Sequence, residues 1–233
     1  VILTGSQLPI GNLRTDGKEN LISAVEIAAA QISGKPVVPE VCIFFENKLY
    51  RGNRTTKINS EHFNAFYSGN YPPLAESGVY IKYNYNSIIY PNKNFPLTTH
   101  IHLDNNVVIL KIFPGIGSSI LRSIFRNEDL RAVVLETFGA GNAPNDEGFI
   151  SEIRNAIKRG VIIMNVSQCT KGTVEQGRYE TSELLEHIGV ISGYDITTEA
   201  AVTKLMMLLG EHADRDIIVN DLHRSVAGEI TLY

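Results

Sequence analysis

AVVLETFGAGNAPNDEGFISEIRNAIKRGVIIMNVS, residues 132–167, sets two apolar runs of strand length around one helical segment. AVVLETF (132–138) and VIIMNVS (161–167) are continuous apolar stretches rather than alternating ones. That is the pattern of strands covered on both faces, as in a parallel sheet. Between them the loop GAGNAPNDEG leads into FISEIRNAIKRG, which reads as a helix. Parallel neighbours need such a crossover, because a two-residue hairpin can only join antiparallel ones. Working outward, VVILKIF (107–113), PGIG and the helix SSILRSIF come before, and ETSELLEHIGV, TEAAVTKLMMLLGE and RDIIVNDLH come after. Each strand ends in a glycine-rich or polar loop, so the second half reads as parallel α/β.

The first half repeats the logic. VILTG is a short apolar run followed by a polar turn, and Asp16 opens DGKENLISAVEIAAAQI with Glu19 three residues on, a capping-box spacing. Leu21, Val25, Ala28 and Ala29 form one apolar helical stripe, and Gly34 and Pro36 end the helix. VCIFFE (41–46) completes a βαβ unit. YNYNSIIYPNKNFPLTTHIHL, rich in Asn, Pro and Thr, reads as a linker. Expected domains are therefore 1–82, a linker 83–105, and 106–233. Ligands of open parallel sheets sit outside the carboxyl ends of the strands. The loops of interest are then TGSQ, LYRGNRTTK, FPGIG, FGAGNAP and VSQCTKG.

Composition excludes several function classes. A net charge of −4 without a long basic run speaks against nucleic acid as the main partner. No apolar stretch approaches the roughly 20 residues that cross a bilayer. Two cysteines, Cys42 and Cys169, are too few for a disulfide framework and fit a reducing cytosol. His100 and His102 share a face but lack a third metal ligand at sensible spacing. GAGN alone is a weak anion-loop signal, PGIGSS lacks the lysine of a P-loop, and no G-x-S-x-G elbow occurs. Cys169 follows a strand and could present a thiolate, or be a small buried residue in a loop. Lys57, beside Thr55 and Thr56, could serve as a general base if desolvation lowers its pKa. On composition alone a solvated loop is the favoured reading of LYRGNRTTK, because most lysines are exposed.

These loops together resemble the bacterial L-asparaginase family, and most of all its cytoplasmic type I branch. The resemblance rests on VILTGSQLP followed by DGKENL, on LYRGNRTTK, VVILKIFPGI, FGAGNAPN and VSQCTKG in the family's order, and on GVISGYDITTEAAVTKLMMLL. It covers nearly the whole chain. It implies an α/β fold with two three-layer domains on mainly parallel sheets, the N-terminal one larger and here truncated. The implied reaction is hydrolysis of L-asparagine to L-aspartate and ammonia through a threonine acyl-enzyme, with no cofactor and no metal. It also implies a cytoplasmic homodimer or homotetramer that acts on a small molecule and needs neither nucleic acid nor membrane. Lys57 matches the catalytic lysine, and Ser6 falls in the substrate pocket. Arg51 and Arg54 are expected to position the loop or meet acidic groups rather than touch substrate. Thr56, Glu136, Ser167 and Cys169 match a second, effector-binding site, with Glu136 where allosteric members carry arginine. The family's T-G-G-T-I and H-G-T-D-T segments do not occur in these 233 residues, which open just after the second. The chain is thus expected to be a fragment, inactive and poorly folded by itself. The alternatives are an asparaginase-like subunit of a tRNA-dependent amidotransferase and a non-catalytic small-molecule-binding relative.

Overall fold

The chain enters β1 (Ile2–Leu3), turns through residues 4–16 and forms α1 (Gly17–Ala29). A small hairpin, β2 (Gln31–Ile32) and β3 (Lys35–Pro36), leads to β4 (Cys42–Phe45) and β5 (Lys48–Arg51). A 3-10 turn at Gly52–Arg54 precedes β6 (Thr56–Lys57), which pairs with β7 (Phe66–Tyr67). β8 (Ala75–Ser77) and β9 (Ile81–Tyr83) follow. The main sheet has the order β1-β4-β5-β8-β9. β1 and β4 are parallel, and every later neighbour is antiparallel. VCIFFE is therefore the first arm of a hairpin as well as the end of a βαβ unit. Glu46 and Asn47 at its tip both take positive φ, as a two-residue turn between right-twisted strands requires.

β10 (Val107–Lys111), α2 (Ser118–Phe125), β11 (Ala132–Thr137), α3 (Glu147–Lys158) and β12 (Ile162–Ser167) come next. α4 (Glu180–His187), β13 (Ile191–Ser192), α5 (Thr198–Glu211) and α6 (Arg215–Leu222) complete the chain. Their sheet, β10-β11-β12-β13, is parallel throughout. Along β11, Val133 and Leu135 enter the core under α2 and α3, while Ala132 and Val134 enter the core under α5 and α6. Both faces are covered, so the strand reads as an unbroken apolar run.

This computed structural model describes residues 1–91, 99–175, 177 and 180–232. The middle of the expected linker (92–98), and residues 176, 178 and 179 of the loop after β12, lie outside them. The chain divides into two units, Val1–Leu97 and Thr98–Tyr233. Residues 84–91 are not loose: Ile88 belongs to the core of the first unit with Ala24, Ile27, Phe44 and Leu49. Among the described residues no helix is long and apolar enough to cross a membrane.

Two expectations for α1 need correction. The Asp16 carboxylate does not cap the helix, so no capping box forms with Glu19. It accepts instead from the amides of Gln7 (3.0 Å) and Leu8 (3.2 Å), folding the preceding turn back on itself. The stripe of Leu21, Val25, Ala28 and Ala29 is exposed, and Gly17, Asn20, Ser23, Ala24 and Ile27 face inward.

Candidate active site

Lys57 lies on a strand rather than in a loop, opposite Phe66 in the β6–β7 pair. Its side chain is exposed, with Nζ 5.9 Å from the centroid of the Phe66 ring. Phe66 in turn packs on Phe45 at the end of β4, ring centroids 5.2 Å apart. A cation over an exposed aromatic face gains about 0.5–1 kcal/mol, enough to bias the lysine's rotamer without immobilising it. The basic residues before it are not solvated at all. Arg51 and Arg54 are each only 2% exposed, which overturns the surface-loop reading of LYRGNRTTK. Thr55 is buried too, and its hydroxyl donates back to the Arg51 carbonyl at 2.7 Å.

The turn after β1 reaches the same end of this unit. Thr4 Oγ1 donates to the Phe44 carbonyl at 2.8 Å, beside Phe45. Gln7 Nε2 donates to the His62 carbonyl at 2.8 Å, linking the turn to the loop between β6 and β7. Asn20, buried on α1, donates to the Gly5 carbonyl at 2.9 Å and accepts from the Glu46 amide at 3.3 Å. Ser6 is exposed and lies against the start of α1, where a Cβ on Gly17 would come within 3.3 Å of its hydroxyl. Ser6 and Lys57, the residues expected at the catalytic centre in this unit, thus lie on a turn and a strand that are linked through the loop following the strand. Asp16 and Asn20, which fix the turn, were not foreseen in these roles. Their i, i+4 spacing at a helix start was the available signal.

The remaining candidates divide between the units. Thr56 lies next to Lys57 in the first, whereas Glu136, Ser167 and Cys169 lie in the second, at the carboxyl ends of β11 and β12. Glu136 has partners of its own. Thr198 Oγ1 donates to its Oε1 at 2.5 Å, and Lys111 Nζ is 3.6 Å from its Oε2. Ser167 Oγ donates to the Gly139 carbonyl at 2.6 Å and accepts from the Cys169 amide at 3.0 Å. Beneath them, buried Thr137 donates to buried Asn165 at 2.6 Å, and Asn165 Nδ2 reaches the Gly141 carbonyl. A Cβ on Gly141 would meet Val174 at 2.9 Å, and its φ of +111° also demands glycine, so the GAGN loop is a tight turn seated on this pair.

Cys169 is exposed, whereas burial pushes the Cys42 thiol up to about 12 and leaves it inert. His100 Nδ1 stands 3.4 Å from Glu211. Among the described residues no group of three His, Cys, Asp or Glu side chains could hold a metal.

The family model of the asparaginase N-terminal domain matches residues 1–89, and that of the glutaminase/asparaginase C-terminal domain matches residues 106–220. The chain belongs to the asparaginase family. This asparaginase-family chain is 39% identical over 231 residues to L-asparaginase 1 of Escherichia coli K12, covering 99% of the chain and 66% of that protein. It is 39% identical over 236 residues to the mouse 60 kDa lysophospholipase, covering all of the chain but 40% of that protein. The crystal structure of L-asparaginase I from Vibrio cholerae superposes with a TM-score of 0.90 at 37% identity, over 99% of this chain and 68% of that one. The chain thus spans 66% of the length of the bacterial curated relative and 40% of the mammalian one.

Proposed function

We propose that the protein carrying this chain is an L-asparagine amidohydrolase, releasing L-aspartate and ammonia through a threonine acyl-enzyme. The observation that carries this reading is Lys57, held on a strand beside the Thr4–Gln7 turn in a chain colinear with asparaginases. A threonine hydroxyl is a poor nucleophile until a neighbouring group takes its proton. In the proposed cycle the hydroxyl oxygen attacks the side-chain amide carbon, and its proton leaves with the departing ammonia. Water then cleaves the acyl ester and restores the hydroxyl. Lys57 manages the first proton transfer, assisted by a second threonine and an aspartate. The attacking threonine and these two partners are expected in the T-G-G-T-I and H-G-T-D-T segments, which the 233 residues do not contain. Ser6 is assigned to the substrate pocket. The reading requires no metal or cofactor, and it assigns the protein to the cytoplasm as a homo-oligomer.

The test uses the protein expressed from its complete reading frame, with ammonia release from L-asparagine as the readout and a lysophospholipid as the competing substrate. Lys57→Met is expected to lower turnover by roughly 10²-fold or more while the fold persists. Near-wild-type turnover in a folded Lys57→Met protein would remove Lys57 from the mechanism. Hydrolysis of the lysophospholipid alone would replace the substrate class. The amidotransferase reading predicts instead that ammonia release rises when tRNA is added, and the net charge of −4 speaks against it.

We also propose that Glu136 closes the position matching the family's effector site. Its carboxylate already takes the Thr198 hydroxyl and lies near Lys111, and it would repel an effector carboxylate that an arginine would clamp with two hydrogen bonds. The rate is therefore expected to rise hyperbolically with asparagine concentration, with Glu136→Arg as the comparison. A steeply sigmoidal curve, abolished by Thr56→Ala, would show that the site works despite Glu136.

A further inference from the structure

The β6–β7 pair that carries Lys57 grows out of a charged and aromatic cluster whose two arginines are buried and whose Tyr71 is half-buried. Arg51 Nε donates to Glu40 Oε2 at 2.5 Å and Nη2 to Glu40 Oε1 at 3.1 Å, a two-pronged ion pair. The side chains are 3% and 9% exposed. The Arg51 guanidinium carbon stands 4.2 Å from the centroid of the Tyr71 ring, and that of Arg54 stands 5.1 Å from it. Arg54 Nη2 reaches the Asn70 carbonyl at 3.4 Å. Burial by itself would lower the pKa of Arg51, but the Glu40 carboxylate raises it, so the cation is permanent.

The cluster also gathers a third stretch of chain. Arg51 Nη2 and the Tyr71 hydroxyl both donate to the Ser87 carbonyl, at 3.0 and 2.9 Å. The Ile89 amide donates to Glu40 Oε1 at 2.7 Å. Glu40, Arg51, Tyr71 and the 87–89 backbone therefore form one connected network. At its centre the Arg51 and Glu40 side chains satisfy each other nearly closed to water, while Ser87 and Ile89 carry the network to the surface. Polar networks of this kind are stiff.

Both arms of the Lys57 pair leave from this network. Arg54 is three residues before Lys57, and Tyr71 is five residues after Phe66, its partner across the ladder. The far end of the pair, by contrast, runs through an exposed loop, residues 59–64. Beyond the Phe66 ring and the Gln7–His62 bond at the far loop, an ammonium on a short two-residue strand depends on that root for its register. Isolated buried ion pairs add little net stability, so the worth of this one lies in geometry.

We infer that Glu40, Arg51 and Tyr71 are positioning residues for Lys57: they hold the root of its strand pair in register, and through Ser87 and Ile89 they fix the 84–91 segment against it. The inference rests on the proposed catalytic role of Lys57. Arginine is required rather than any cation, because lysine offers neither the planar fork for Glu40 nor the flat face for Tyr71.

The test is a double-mutant cycle in the protein expressed from its complete reading frame, read as kcat and KM for L-asparagine. Arg51→Lys is expected to lower kcat by about tenfold or more and to change KM by less than about threefold, since a misplaced proton-transfer group costs turnover before it costs binding. In the Lys57→Met background the same substitution is expected to cost less than about twofold, because residues acting as a unit are non-additive. An equal loss in both backgrounds, a loss confined to KM, or no loss at all would overturn the inference. If Arg51→Lys does not fold, Tyr71→Phe takes its place, removing the hydroxyl with its bond to Ser87 and its contact with Arg51 while keeping the ring. It is expected to lower kcat by about two- to fivefold when Lys57 is present and to leave kcat unchanged in the Lys57→Met background, again as a non-additive pair. Unchanged kcat in Tyr71→Phe with Lys57 present would then overturn it. Wild-type turnover in Lys57→Met alone would sink the catalytic reading itself, an outcome distinct from additive losses in a protein that still needs Lys57.

Discussion

α3 and α1 are helices of similar length beside parallel strands, yet they bury opposite kinds of surface. α3 turns Phe149, Ile150, Ile153 and Ala156 inward, as its apolar pattern suggests. α1 turns Gly17, Asn20, Ser23, Ala24 and Ile27 inward and leaves Leu21, Ile22 and Val25 at 49%, 61% and 59% exposure. The difference is in what each helix must hold. α3 only has to fill space between a sheet and α2. α1 has to approach the tips of β1 and β4 closely enough for Asn20 to bond both Gly5 and Glu46, and small side chains permit that approach. Apolar periodicity names a stripe, but a polar anchor can choose the face.

The same contrast separates the two cores. The second unit buries aliphatic side chains on both faces of its sheet and encloses an ion pair, Lys204 with Glu229 at 2.7 Å, against the C-terminal loop. The first unit buries Arg51, Arg54 and Glu40 around the root of the Lys57 strand pair.

The largest expected effect tests whether the Lys204 clasp matters to the second unit as much as its burial suggests. Lys204 also donates to the carbonyls of Leu222 and Arg224, and Glu229 accepts from the amides of Val226 and Ala227. Lys204→Met strands the carboxylate and is expected to cost about 3–5 kcal/mol in urea unfolding. A cost below about 1 kcal/mol would mean that the loop releases without harm. The pH dependence follows from Glu229. Burial opposes its ionisation, but the hydrogen bonds from Lys204 and the two amides outweigh it and leave the pKa below the ordinary carboxylate value. A depressed carboxylate pKa stabilises the fold above the unfolded value of about 4.3, and that stability is lost as pH falls through the folded value. Glu229→Gln should flatten this acid limb, measured as unfolding free energy between neutral and acidic pH.

A direct comparison of the two helical environments comes next. Leu135, fully buried on β11, is expected to lose about 2–5 kcal/mol as Leu135→Ala. Leu21→Ser on the open stripe of α1 is expected to change the stability of the 233-residue chain by less than about 0.5 kcal/mol. A cost above about 1 kcal/mol for Leu21→Ser would show that the stripe is covered after all, by self-association of the chain. Repeating it in the protein expressed from its complete reading frame asks whether anything else covers that stripe there.

Much of the fold was legible along the chain. The runs 107–113, 132–138 and 161–167 became β10, β11 and β12 because a strand covered on both faces must be apolar at every position. The helices between and after them were also read correctly, and the structure adds caps that the reading did not use: Asp146 accepts from the Phe149 amide and Thr197 from the Ala200 amide. Less was legible around the candidate site. The hairpin of β4 and β5 was hidden because its turn is Glu-Asn rather than Asn-Gly, and Asp16 looked like a cap because capping and turn-folding use the same residue types. LYRGNRTTK, one of several segments that carried the family resemblance, gave the most misleading local signal.

By itself the sequence determined the alternation of strands and helices in the second unit and its parallel sheet, since these depend on spacing along the chain, whereas Lys57 was singled out by the family resemblance. Only the tertiary structure decided that Arg51 and Arg54 are interior residues and that α1 presents the face of Gly17, Asn20, Ser23, Ala24 and Ile27 to the sheet. It likewise decided that Glu136 is already engaged by Thr198. Those outcomes turn on which distant groups arrive to satisfy a charge or an amide: Glu40 from 11 residues away, Ser87 from 36, and Thr198 from 62. A guanidinium is buried only when such partners converge on it, and their convergence is a property of the packed chain rather than of any segment in it.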